Sequence, residues 1–91
     1  MTLNNLYRTI LDRKTNPKPG SYTNSLFDAG LPRIAQKVGE EATEVVVAAL
    51  SQENARLVAE IADLAYHVLV LMAEKGITPE DVAGELERRK H

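Results

Sequence analysis

A chain of 91 residues with 44% hydrophobic content, one Phe and no Trp can build one small domain around an aliphatic core. The absence of Cys excludes a disulfide scaffold, a thiolate-ligated zinc and thiol catalysis. A formal net charge of −2 argues against general nucleic-acid binding, and no apolar run is long enough to cross a bilayer.

In chain order, LNNLYRTILDR places Leu3, Leu6 and Ile10 at helical spacing and predicts a first amphipathic helix. The stretch lacks the apolar h-region of a signal peptide, so the expected location is cytoplasmic. TNPKPGSY, residues 15–22, is a loop, because each proline disfavours helix at itself and at the residue before it. TNSLFDAG reads as a short helix closed by Gly30. Pro32 suits the first turn of a helix that runs to about Leu50. Ser51 is the candidate N-cap of the next helix, which Gly76 ends after Lys75. Thr78, Pro79 and Asp81 supply the cap, first position and capping box of a last helix, and Arg88, Arg89 and Lys90 suit its C-terminus.

Nothing in this pattern demands a strand, a repeat or a domain boundary, so the expectation is a single all-α domain over residues 1–91. The two long helices are apolar nearly all round, with Val45–Leu50 on one and Leu64–Met72 on the other broken mainly by Tyr66 and His67. Helices without a polar face are buried on most sides. Ninety residues cannot cover two of them, which predicts a homodimer whose antiparallel hairpins complete a helical bundle.

Against this apolar background stand five acids: Glu40, Glu41, Glu44, Glu60 and Asp63. Glu41 and Glu44 are three apart and share a helix face, as do Glu60 and Asp63. A short connection near residue 52 makes the two pairs mirror images about the turn, so an antiparallel hairpin brings them level. Each pair alone reads as solvated surface. Their conjunction favours a cleft of four carboxylates, which repulsion and desolvation would disfavour without a cation. An all-oxygen site suits a hard ion, Mg²⁺ by default with Mn²⁺ as a substitute.

The charge is also uneven along the chain. Residues 1–37 hold six basic and two acidic residues, a net of +4, and residues 38–91 hold five and eleven, a net of −6. Magnesium held by carboxylates commonly binds phosphate in its remaining positions. Lys37, one turn before Glu41, is the best-placed phosphate clamp; Arg13, Lys14, Lys18 and Arg33 are either further clamps or surface charges.

EEATE followed by EIAD resembles the acidic signature of the MazG-like all-α nucleoside-triphosphate pyrophosphatases. GSYTNSLFDAG, KVGEEATEVVVAA and EIADLAYHVLVLMAEKGI together resemble the phosphoribosyl-ATP pyrophosphohydrolase family, over essentially the whole chain. The resemblance implies Mg²⁺-dependent hydrolysis of 1-(5-phosphoribosyl)-ATP to 1-(5-phosphoribosyl)-AMP and pyrophosphate, in histidine biosynthesis. It implies Glu41, Glu44, Glu60 and Asp63 as metal ligands, with Glu40 as an outer ligand or water-orienting base. It favours substrate contact for Ser21 and Thr23, which otherwise read as caps of the short helix. His67 stands four after Asp63 and is either a partner of that carboxylate or a satisfied core histidine; Tyr66 reads as packing. The alternatives to this activity are a house-cleaning pyrophosphatase on another nucleoside triphosphate and a non-catalytic dimeric module.

Overall fold

The described residues form five helices: α1 (Leu3–Thr15), α2 (Tyr22–Ala29), α3 (Leu31–Ser51), α4 (Asn54–Lys75) and α5 (Pro79–Arg89). They are seen in a computed structural model that describes residues 1–90, and no strand occurs among the described residues. The all-α expectation holds.

Local chemistry sets most boundaries. Thr2 and Ser21 each accept a hydrogen bond from a backbone N–H three residues on and so cap α1 and α2. Gly30 (φ 93°) separates α2 from α3, with Pro32 in the first turn of α3. Gly76 (φ 72°, left-handed) stops α4, a conformation that costs a side-chain-bearing residue more than glycine. Thr78 and Asp81 form the expected reciprocal capping box of α5.

One boundary differs from expectation. Ser51 is the last residue of α3, and its hydroxyl donates to the Val47 carbonyl at 2.7 Å. The link to α4 is Gln52–Glu53, and Glu53 is the N-cap, without a side-chain capping bond. A serine hydroxyl can bond back to the preceding turn as readily as forward to the next, so its identity alone does not decide which helix it serves.

The core lies at one end of the molecule, where α1, α2, the start of α3 and the second half of α4 meet. Tyr7, Ile10, Leu26, Ile34, Leu69, Val70, Met72 and Ala73 form it. Two side chains tie α1 to the end of α4. Tyr7 donates its hydroxyl to the Ile77 carbonyl at 2.6 Å. Lys14 reaches the Ala73 carbonyl and the Glu74 carboxylate, over the ring of Phe27. Lys14 is thus engaged at the end of α4, where a cation complements the helix dipole.

Away from this core, α3 and α4 make the most extensive helix–helix contact in the chain. Yet Val46, Val47, Leu50, Val58 and Ile61 on them are exposed. Helix α5 buries no residue, and its Val82 and Leu86 face an open apolar groove shared with Leu3, Ile61, Leu64 and Val68.

Candidate metal and phosphate site

Three of the predicted acids converge. One carboxylate oxygen each from Glu41 on α3 and Glu60 and Asp63 on α4 lie within 4.8 Å of one another. Six oxygens at about 2.1 Å around a magnesium ion are at most about 4.2 Å apart. Small rotamer adjustments would therefore close the trio on such an ion. The donor chemistry fits a hard divalent cation: three carboxylates, with no sulfur or imidazole among them.

The three acids differ in depth. Glu60 is buried, at 3% exposure, Glu41 is partly buried and Asp63 faces solvent. Glu60 is held by Arg56, one turn earlier, at 2.6 Å, while the arginine itself is largely exposed. Lys37 approaches Glu41 at 3.3 Å and Glu40 at 3.5 Å. Desolvation works to lower the Lys37 pKa, but its hydrogen bond to Glu41 and the neighbouring Tyr22, Glu40 and Glu41 outweigh it and hold the ammonium above its ordinary range. It therefore remains a cation beside the acids.

The remaining predicted residues are placed as follows. Glu44 is exposed and lies outside the trio, one turn beyond Glu41. Glu40 is exposed and engaged by Arg33, Lys37 and Gln36. Ser21 caps α2, and Thr23 hydrogen-bonds the Tyr66 hydroxyl. Arg13 pairs with its neighbour Asp12, and its carbonyl accepts from Asn24.

His67 resolves as a satisfied, buried histidine. Its Nδ1 lies 2.7 Å from the Asp63 carbonyl, which can only accept, so Nδ1 carries the proton. Its Nε2 then accepts from the Tyr22 hydroxyl at 2.9 Å. It touches the backbone of Asp63 and not its carboxylate. Tyr66 does more than pack: burial and the nearby Tyr22 raise its phenol pKa, the bond to Thr23 opposes them, and its ring stacks on Tyr22 with centroids 6.1 Å apart. Together the Tyr22–His67 and Thr23–Tyr66 bonds fasten the start of α2 to the acid-bearing turn of α4. Sequence reasoning passed over Tyr22. The available signal was an aromatic residue directly after a helix cap, in a loop already suspected of binding.

The chain is similar to known proteins over nearly its whole length. Residues 3–90 match the family described as phosphoribosyl-ATP pyrophosphohydrolase. A phosphoribosyl-ATP pyrophosphatase of Sulfurisphaera tokodaii is 59% identical over 87 residues, covering 96% of this chain and 93% of that protein. One from Listeria monocytogenes is 58% identical, covering 97% and 84%. A histidine biosynthesis bifunctional protein of Caldanaerobacter subterraneus is 54% identical across 96% of this chain but only 42% of its own length. With a match along nearly its entire length and relatives well above half identical, the chain belongs to the phosphoribosyl-ATP pyrophosphohydrolase family.

Proposed function

We propose that this protein hydrolyses 1-(5-phosphoribosyl)-ATP to 1-(5-phosphoribosyl)-AMP and pyrophosphate, in the second step of histidine biosynthesis. The observation that carries the reading is the convergence of Glu41, Glu60 and Asp63 beside Lys37 in a chain of this family. The three acids hold the divalent ion, Mg²⁺ or in its place Mn²⁺. Glu44, on the same face of α3, would be the fourth ligand. When bound, the ion neutralises phosphate oxygens and the charge that develops on the leaving pyrophosphate. Lys37 contacts the phosphates from the α3 side, held in place by Glu40 and Glu41. Ser21, Thr23 and Arg13 belong to the wall that receives the rest of the substrate. The reaction runs in the cytoplasm; no helix among the described residues is long and apolar enough to cross a membrane.

Pyrophosphate release is the test, measured with Mg²⁺ on phosphoribosyl-ATP, ATP and dUTP. The expected result is a kcat/KM for phosphoribosyl-ATP at least about 100-fold above the other two, roughly 2.7 kcal/mol of discrimination. Equal rates on all three would leave a general nucleoside-triphosphate pyrophosphatase, and no release from any would leave a non-catalytic module.

The same proposal includes the assembly: α3 and α4 form an antiparallel hairpin that a second copy completes as a bundle. The chain alone exposes 6145 Å², against about 5,200 Å² for a monomer of this mass. Its radius of gyration is 14.1 Å, against about 12 Å for a compact domain of this length. The excess coincides with Val46, Val47, Leu50, Val58, Ile61 and the groove beneath α5. Exposed apolar side chains in this number support a face that a partner covers. Sedimentation velocity at micromolar protein is expected to give twice the chain mass. A single-chain mass at that concentration rules the dimer out.

A further inference from the structure

We infer that Tyr22 is a substrate-contacting residue, its exposed ring forming the platform on which the purine base of the nucleotide stacks. The inference rests on the nucleotide reading above and adds to it the residue that recognises the base.

The orientation of Tyr22 is the first argument. A surface tyrosine ordinarily turns its apolar ring inward and its hydroxyl to water. Tyr22 does the reverse. Its hydroxyl is bound to the buried His67, while the residue as a whole is 51% exposed. The apolar ring is thereby presented to solvent at the cost of an inward-facing polar end.

Rigidity is the second argument. His67 fixes the hydroxyl and meets the ring edge-on with centroids 5.8 Å apart. Tyr66 backs the ring at an interplanar angle of 27° and is itself held by Thr23. An aromatic surface fixed in this way loses little conformational freedom when a second ring stacks on it. Aromatic platforms accept bases without needing to read their edges, because every base has a π-face.

Position is the third. His67 lies one turn from Asp63 and bonds its carbonyl, which places Tyr22 two hydrogen bonds from the acid trio. Beside the ring a cavity lined by Lys18, Gly20, Ser21 and Asp28 leaves room for the sugars. A nucleotide with phosphates at Lys37 and the acids would have its base within reach of this ring.

Two measurements decide the matter. The first is steady-state kinetics on phosphoribosyl-ATP. Tyr22→Leu is expected to raise KM about tenfold with kcat within threefold, the size of one lost base stack, and Tyr22→Phe to restore most of that loss. A KM within twofold of the parent in Tyr22→Leu overturns the inference. So does equal loss in Tyr22→Leu and Tyr22→Phe, which would assign the effect to the hydroxyl tie. The second needs no turnover and stands if the proposed reaction fails. The chain has three Tyr and no Trp, so its ultraviolet emission is tyrosine alone. Titration with AMP is expected to quench that emission in the parent and to leave Tyr22→Leu unquenched. No quench in the parent, or an equal quench in Tyr22→Leu, overturns the assignment.

Discussion

Asp63→Asn is expected to lower pyrophosphate release more than about 100-fold while the protein keeps its far-ultraviolet circular dichroism and its oligomeric state. Residues that merely orient metal ligands typically contribute 10–100-fold to activity, and a ligand itself contributes more. Asp63 is the informative choice among the three acids because it is exposed and, among the described residues, forms no ion pair, whereas Glu41 and Glu60 each pair with a basic residue. Its amide is the same size, so the change removes one charge and little packing. Glu60→Gln would be harder to interpret, since it changes a buried side chain and also breaks its ion pair with Arg56. Glu44→Gln, assayed beside it, weighs the proposed fourth ligand. Near-normal turnover in Asp63→Asn would remove the basis for a metal at this place.

The second large effect is on stability. Ile34 is fully buried at the start of α3, inside the cluster built by α1, α2 and α4. Ile34→Ala is expected to cost about 2–5 kcal/mol, the range for deleting a buried aliphatic side chain that neighbours cannot refill. In a domain of this size each kcal/mol shifts the melting midpoint by about 4–8 °C. A fall of at least about 8 °C in Tm is therefore expected. A drop of only a few degrees for Ile34→Ala would mean that the core is centred elsewhere.

How much could be read from the sequence depended on how local the governing interaction was. The cap at Thr78, the glycine stops at 30 and 76 and the proline starts were legible because each depends on residues within one turn, whereas Ser21, the cap of α2, stood only as one of two cap candidates. Ser51 was misplaced because a hydroxyl can bond in either direction along the chain. The grouping of Glu41, Glu60 and Asp63 was legible, since helical spacing and a short link constrain them together, whereas Glu44, expected with them, lies outside the group. Their depth was not, because the burial of Glu60 depends on what packs over α4. The tie from Tyr22 to His67 spans 45 positions and joins two helices, so no periodicity within either one announces it.

Asn24 carries a consequence of its own. Its buried amide accepts from the Lys18 N–H at 2.8 Å and donates to the Arg13 carbonyl at 2.7 Å. The two ends of an amide are unlike, and both are used. An aspartate offers no hydrogen for the carbonyl, and a leucine offers neither partner anything. The alignment of the Pro17–Gly20 bend with the end of α1, and so the place from which α2 sets out, is therefore keyed to one kind of side chain at one position.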